Sequence, residues 1–323
     1  MKIFKKFICY PLAWIFSFAC CTHAYTQELP KVIKMVVPFA PGASNDLFAR
    51  ALAQKLSTKL ELTVIVENRP GAGGVIGADF VAKAAPDGAT LLFTSNALTT
   101  TAAVQRKLPY DPEKDLAPIA MVASSGLILL VRTDGPYTDT ATLVQAMRDP
   151  KNKMTYGSSG IGSVNHVSTE LLHSMAGTTA LHLPYKGLSL ALIDMIGGRV
   201  DFLITTVASS GSQLRAGKVK ALGVTSLGRS PFNPELAPMA DIVPGYSSEI
   251  WWGVFAPAAT SKTIIERLNK EIRQVTAEPD MQKLFAQEAA LATTLTAADF
   301  AQRIKTEIAL WKKVVQERNI QPE

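Results

Sequence analysis

Two short turns rich in glycine, serine and proline contain the residues whose types and spacing are best suited to chemistry. The first has the sequence PFAPGASND at residues 38–46, where a predicted strand ends and a helix begins at Ser44, Asn45 and Asp46. A helix N terminus exposes unpaired backbone N–H groups and carries about half a positive charge, so a carboxylate fits there without Arg or Lys. Gly42 allows a ligand to approach the backbone closely. The motif predicts an anion-binding turn, with a simple capped helix as the alternative. Asp46 suits a cap or a water anchor better than an anion contact, because like charges repel.

The second turn repeats this design later in the chain. Residues 155–166, TYGSSGIGSVNH, read as a strand, a glycine-rich turn and a helix opened by Ser163. Its glycines and serines offer many backbone and hydroxyl donors. If each turn belongs to a separate lobe, two helix N termini face each other across a cleft. This pairing favours binding of a small anion over simple capping.

Several enzymatic interpretations fail on spacing. The GSSGIGS segment does not satisfy GxSxG, residues 71–77 (GAGGVIG) do not satisfy GxGxxG, and no GxxxxGK[ST] loop occurs. Ser163 and His166 lie three residues apart at a helix start and could meet as a nucleophile and base. An esterase-like hydrolase is therefore the minor alternative, although a cap serine and a cleft histidine explain the pair more simply.

Cysteine and histidine usage excludes other classes of site. All three cysteines, Cys9, Cys20 and Cys21, precede the predicted mature chain, which excludes thiol catalysis, disulfides and thiolate metal sites from it. The histidines that remain, at 166, 173 and 182, form no short ligand pair such as HExxH. We expect no metal, no cofactor and no catalysis.

The first 24 residues read as an export signal. Three lysines precede an apolar run at residues 7–18, small residues follow, and the run is too short to span a bilayer. Cleavage after Ala24 would send the mature chain to the periplasm. A lipid anchor at Cys20 or Cys21 is the alternative, but the expected leading Leu is missing.

The charge and composition of the chain limit the classes of partner that it can have. Removing three signal lysines from 33 basic residues leaves 30 against 27 acidic residues, a net charge of about +3. The basic residues are scattered, which argues against a nucleic-acid track. A chain of about 300 residues, with 47% apolar residues overall, suffices for two cores. We expect a monomer.

Strands and helices must position these turns, and the sequence alternates strand-like runs with helical runs. Strand-like and helical runs alternate from residue 32 to about 123, and the pattern restarts with a helix at 140–147. The segment Trp251–Pro257 adds a strand in which one indole is expected to wall the pocket while the other packs. Two long helices end the chain, the last with Thr296 as N-cap, and both are expected to pack on the first lobe. The pattern predicts an α/β fold with largely parallel sheets.

In its turns and in other motifs, the chain resembles the Bug-type, TctC-like periplasmic receptors of tripartite tricarboxylate transporters. The similarity runs over nearly the whole mature chain and is carried by many motifs in one order: VVPFAPG, VENRPGAGGVIG, PDGATLL, LPYDPEKDLAPI, YGSSGIGSVNH, HLPYKG, GGRVDF, AGKVKALGVTS and WWGVFAPA.

The resemblance implies a two-lobed α/β clamp with a two-segment hinge. Lobe 1 would comprise residues 25–128 and 250–323, and lobe 2 would be the inserted residues 129–249. The PFAPG and GSSGIGS turns would hold a ligand carboxylate, and the receptor would deliver the ligand to transporter membrane subunits. A receptor that feeds a signalling partner is the main alternative.

The candidate ligand-binding residues follow from the turns and the resemblance together: Phe39, Ala40, Gly42, Ala43, Ser44, Asp46, Ser158, Ser159, Gly162, Ser163, His166, Tyr185 and Thr205. Tyr185 and Lys186 are expected to line the same cleft, with equally favoured alternatives: Tyr185 as a core residue and Lys186 as a solvated surface charge. Two positions depart from the family. Ala43 stands where a second glycine is frequent, and Thr205 stands where an acidic residue is frequent. Amino-acid ligands, whose ammonium group would need an acidic partner, are therefore disfavoured.

Overall fold

The structure is a computed structural model that describes residues 28–149 and 151–322. The predicted export signal at residues 1–24 and the alternative lipid anchor lie outside the described residues. Within these two ranges, no helix combines the length and the apolar character needed to cross a membrane.

Strands and helices alternate as expected for an α/β protein. The strands are β1 (Val32–Val37), β2 (Thr63–Asn68), β3 (Thr90–Ser95), β4 (Leu116–Gly126), β5 (Ile128–Arg132), β6 (Thr155–Ser158), β7 (Leu181–Pro184), β8 (Phe202–Thr205), β9 (Val219–Val224), β10 (Glu249–Pro257) and β11 (Leu291–Ala292). The helices are α1 (Ser44–Leu60), α2 (Val75–Ala82), α3 (Ala97–Val104), α4 (Thr140–Arg148), α5 (Val164–Ala176), α6 (Leu188–Ile196), α7 (Val207–Arg215), α8 (Lys262–Thr276), α9 (Pro279–Gln287) and α10 (Ala297–Glu317).

The strands form two sheets, one in each lobe. The first sheet has the order β11-β4-β10-β3-β1-β2, in which β1 pairs parallel with β2 and β3, and β10 runs antiparallel to β3 and β4. The second has the order β7-β6-β8-β5-β9, with β6 parallel to β7 and β8, and β5 antiparallel to β8 and β9. The predicted fold class, a two-lobed α/β clamp, is confirmed.

Two neighbouring segments connect the sheets. The first passes from β4 to β5 through Leu127, and the second enters β10 after Ser248. Thr225 joins them, because its hydroxyl accepts the Leu127 N–H at 2.7 Å and its carbonyl accepts the Ser248 N–H at 3.0 Å. The exact residue boundaries of the lobes, 128/129 and 249/250, stay a prediction.

The last helix packs against both lobes. Phe300, Ile304 and Ile308 belong to an apolar cluster of the first lobe, whereas Trp311 and Val314 belong to the main cluster of the second. A helix of 21 residues is about 31 Å long, enough to reach both cores. The first half of α10 packs on the first lobe as expected, and its apolar stripe continues onto the core of the second lobe, which the sequence analysis did not predict.

Candidate functional site

A cavity of about 490 Å³ lies between the lobes. The first lobe contributes Phe39 after β1, the tight turn before α2 and one face of α3 from Asn96 to Gln105, while the second contributes the turn after β6 and the start of α5. Its lining is polar but uncharged: no charged side chain of the described residues lines it. The polar lining residues are Ser95, Asn96, Thr100, Thr101, Gln105, Ser159 and Ser163, and the larger apolar ones are Phe39, Val104, Ile161, Val164 and Ile250.

In the turn between β6 and α5, some backbone N–H groups are bonded within the protein and others have no acceptor in the described residues. The Gly160 N–H donates to the Ser158 hydroxyl at 3.1 Å, and the Gly162 N–H donates to Nδ1 of His166 at 3.1 Å. Gly160 and Gly162 have φ angles of +120° and +78°, which only glycine adopts easily. The N–H groups of Ile161 and Val164 have no acceptor anywhere in the described chain. Both residues line the cavity, so these donors are available to an anion.

Ser163 completes the turn as the N-cap of α5. Its hydroxyl donates to the Gly160 carbonyl at 2.7 Å and accepts the His166 backbone N–H at 3.4 Å. Because the His166 ring nitrogen is bound to Gly162 instead, the structure shows no hydroxyl-to-imidazole hydrogen bond between Ser163 and His166. The nucleophile-and-base arrangement of the hydrolase alternative is therefore not assembled here.

The N terminus of α3 enters the cavity from the first lobe. Asn96, its N-cap, is 1% exposed. The Asn96 backbone N–H donates to the Trp251 carbonyl at 3.2 Å, and its side-chain Nδ2 donates to the Glu249 carbonyl at 2.9 Å. Both acceptors lie on β10, so the start of α3 is fixed to the strand that follows the second connecting segment. One helix N terminus from each lobe, α3 and α5, thus borders the cavity.

The PFAPG turn lies at the edge of this cavity. Phe39 lines it, whereas Ala40, Gly42 and Ala43 are exposed and do not. Ser44 donates to Glu288 at 2.7 Å, and Asp46 accepts the Gly42 N–H at 3.0 Å. Burial alone would raise the pKa of Asp46, but hydrogen bonds from Arg50, Asn68 and Gly42 outweigh it and lower the pKa. Asp46 therefore acts as the charged cap of its own turn in this structure.

The other predicted site residues divide into those that line the cavity and those that do not. Ser159, Gly162 and Ser163 line it, but Ser158 and Thr205 are fully buried and do not. The Thr205 hydroxyl has no hydrogen-bond partner within the described ranges. Tyr185 is half-buried and donates to Asp194 at 2.8 Å, while Lys186 is exposed.

Both tryptophans of β10 are core residues. Trp251 donates through Nε1 to Glu307 at 2.8 Å, and Trp252 packs edge-on against Phe48 at a ring distance of 4.8 Å. They belong to different apolar clusters on opposite faces of the first sheet. The expectation that one indole walls the pocket was wrong, because helices cover both faces of this central strand. Ile250 contributes to the cavity instead.

Three histidines cluster under the β6–α5 turn. The rings of His166 and His182 stack at 3.9 Å, and Tyr156 stacks on His182 at 4.8 Å. His173 meets Tyr156 edge-on at 5.6 Å. Burial lowers the pKa of each histidine to about 4, although the nearby Glu170 carboxylate opposes this. These imidazoles are therefore neutral near pH 7.

The sequence analysis missed the α3 wall of the cavity. Asn96, Thr100, Thr101, Val104 and Gln105 all come from α3 or its ends, and no helix was predicted there. The signal was weak because three consecutive threonines, which have low helix propensity, occupy its middle. Asn96 before an alanine and leucine was the available hint of an N-cap.

Comparison with known proteins gives consistent matches along the chain. The sequence model of the family described as "Tripartite tricarboxylate transporter family receptor" matches residues 48–320. The protein BugT of Bordetella pertussis is 33% identical over 288 residues, which cover 88% of each chain.

Two solved structures are similar in both fold and sequence. Rpa4515 of R. palustris with adipate has a TM-score of 0.78 and 32% identity, over 90% of this chain and 98% of that one. MatC (Rpa3494) from Rhodopseudomonas palustris with bound malate has a TM-score of 0.73 and 30% identity, over 88% of this chain and 98% of that one.

Proposed function

Since the chain belongs to the tripartite tricarboxylate transporter receptor family, we propose that it is a periplasmic solute-binding protein for a small carboxylate. It captures the ligand between its lobes and delivers it to a tripartite tricarboxylate-type membrane transporter. The family membership confirms the resemblance carried by the sequence motifs. The similarity to solute-binding proteins, two of them solved with adipate and malate, supports the proposed ligand class.

The observation that carries the proposal is the convergence of two helix N termini on one uncharged cavity. The α5 turn offers the unpaired N–H groups of Ile161 and Val164, and α3 begins at Asn96 on the opposite wall. Helix N termini stabilise an anion by their partial positive charge and free donors. Such dipoles act more strongly once closure of the lobes excludes water from the cavity. The site can therefore hold a carboxylate without Arg or Lys.

The lining also disfavours cationic ligands. An ammonium group would need a carboxylate or several carbonyl acceptors. No acidic side chain of the described residues lines the cavity, and Thr205 lies buried behind it. Carboxylates without an ammonium group fit this lining better than amino acids do. A cavity of about 490 Å³ is in the size range of small-molecule sites.

Binding would favour closure of the lobes. The ligand shifts the equilibrium only by its higher affinity for the closed form, in which both helix ends contact it. The closed form is then the one that docks on the membrane subunits. Loss of carboxylate uptake on deletion of the gene, with rescue by the wild-type chain, tests this delivery step. Unchanged uptake would contradict it.

Ligand binding is tested by thermal unfolding of the mature chain, refolded to remove any bound solute. Adipate, malate, citrate, benzoate and aspartate form the panel. A ligand at about 100 times its Kd adds about 2.7 kcal/mol and raises Tm by several degrees. We expect a shift with at least one acid that lacks an ammonium group, and none with aspartate. Stabilisation by aspartate alone would contradict the ligand class, and no shift with any acid would contradict the carboxylate site.

A further inference from the structure

The buried ring nitrogen Nδ1 of His166 accepts a hydrogen bond from the ligand-binding turn between β6 and α5. The Gly162 N–H donates to Nδ1 of His166 at 3.1 Å, so this nitrogen carries a lone pair and the proton of the neutral ring lies on Nε2. His166 is 4% exposed and does not line the cavity. Its side chain therefore contacts the turn rather than the ligand space.

This contact determines which donors remain free for a ligand. The N–H groups of Gly160, Gly162 and Ser163 are bonded within the turn and α5, which leaves the Ile161 N–H, between Gly160 and Gly162, available to the cavity. Without an acceptor behind Gly162, the peptide groups would be free to rotate and satisfy each other. The positive φ of Gly162, +78°, allows this geometry but does not select it.

The surroundings of His166 fix its ring orientation. His182 of β7 stacks on it at 3.9 Å, and Tyr156 of β6 stacks at 6.3 Å. His182 is itself held by the Ser158 hydroxyl at 2.7 Å, which also accepts the Gly160 N–H. Glu170 of α5 contributes the nearest charge, and it is bound by Tyr156 and Arg318.

We propose that His166 is a positioning residue of the binding turn, whose neutral Nδ1 orients the Ile161 and Val164 N–H groups toward the ligand carboxylate. The part about the carboxylate rests on the proposed function. The part about the turn rests on the hydrogen bonds alone. The two parts can therefore fail separately.

Three variants of the mature chain test the role. His166→Phe keeps a ring that can stack on His182 but removes the acceptor. His166→Asn restores an acceptor, because the Asn Oδ1 occupies the place of Nδ1. His173→Phe is the matched control, since His173 is an equally buried histidine of the same cluster that bonds Thr178 rather than the turn.

The first measurement is amide hydrogen exchange at Gly162 in the ligand-free protein, read by NMR. We expect His166→Phe to accelerate it about tenfold, the effect of losing one hydrogen bond. His166→Asn and His173→Phe should stay within about threefold of wild type, although both Phe variants lower Tm. Wild-type exchange in His166→Phe would overturn the positioning role, as would equal acceleration in His173→Phe.

The second measurement is the Kd for adipate by calorimetry. We expect about tenfold weaker binding in His166→Phe, with recovery in His166→Asn. Equal weakening in both Phe variants would assign the loss to general packing and overturn the role. If wild type itself binds no adipate, that result counts against the choice of ligand, and the exchange measurement alone decides whether His166 positions the turn.

Discussion

The three clustered histidines should make the second lobe less stable at mildly acidic pH. His166, His173 and His182 have pKa values of about 4 in the folded chain, mainly because burial disfavours the imidazolium, while Glu170 opposes the effect. In the unfolded chain each returns to its ordinary value near 6.5. The unfolded state therefore binds more protons between pH 6.5 and pH 4.

This difference in pKa stabilises the folded chain at neutral pH relative to acidic pH. The stabilisation is fully present above pH 6.5 and is lost as the pH falls through 6.5 toward 4. Between pH 7.5 and pH 5, each deeply buried histidine should cost about 2 kcal/mol of unfolding free energy. His166 and His173, which are 4% and 1% exposed, should together cost about 4 kcal/mol. His182 is only half-buried, so its contribution should be smaller.

Urea denaturation at pH 7.5, 6.5, 5.5 and 5.0, at constant ionic strength, measures this loss. His173→Phe removes one titrating group, so its loss over the same range should be smaller by about 2 kcal/mol. The lowered pKa of Asp46 affects stability only at lower pH. Burial raises the pKa of Glu307, which opposes the histidine effect as the pH falls, so the difference between the wild-type chain and His173→Phe isolates the histidine contribution. An equal loss in the wild-type chain and His173→Phe between pH 7.5 and pH 5, or histidine pKa values near 6.5 by NMR, would refute the reasoning.

Three further substitutions have defined outcomes. Gly162→Ala strains a φ of +78° and places a Cβ 3.2 Å from Val104 across the cleft, so we expect a loss of adipate affinity of at least tenfold by calorimetry. Ser163→Ala removes the cap of α5, which should cost about 1 kcal/mol in urea denaturation and also weaken adipate binding. Glu307→Gln places an amide beside the N–H of Trp251 and should cost about 1–3 kcal/mol in denaturation.

Matched controls separate these effects from general damage. Gly177→Ala strains a φ of +64° with no atom within 4 Å, so it should lower stability but spare binding. Ser261→Ala removes the equivalent cap of α8 in the first lobe and should also spare binding. Equal affinity losses in test and control variants would contradict the site. Glu307 accepts hydrogen bonds from Thr99, Trp251 and Trp311, and wild-type stability of the Gln variant would show that these bonds do not depend on the charge.

The strand–turn–helix units were predictable because their signals are local. The β1–α1 and β6–α5 units both combine a β-rich run with a glycine turn and a helix start. Ser163 caps α5, and the predicted Thr296 cap of α10 forms a full capping box with Asp299, whereas α1 starts after Ala43 with no side-chain N-cap hydrogen bond. Each of these features depends on residues within a few positions of one another. Sequence patterns therefore suffice to place them.

Which first-lobe helix lines the cavity was less predictable, because this depends on contacts between residues far apart in the sequence. Asp46 accepts the Gly42 N–H of the turn before α1, whereas two hydrogen bonds from Asn96 to β10 hold the start of α3 beside the cavity. The partners of Asn96 lie more than 150 residues away, and nothing in the local sequence indicates them. The burial of Trp251 and Trp252 likewise depends on helices that cover both faces of β10.

The last helix links the supports of both cavity walls. Glu307 accepts from Thr99 of α3 at 2.7 Å, and Arg318, just after α10, binds Glu170, which holds Tyr156 beneath the α5 turn. Because α10 packs on both cores, a hinge motion that keeps its first half on lobe 1 must slide its second half, at Trp311 and Val314, against lobe 2. Closely packed interfaces resist such sliding. The packing of α10 should therefore help to set how much of the ligand-free chain is closed, and with it the affinity for the ligand.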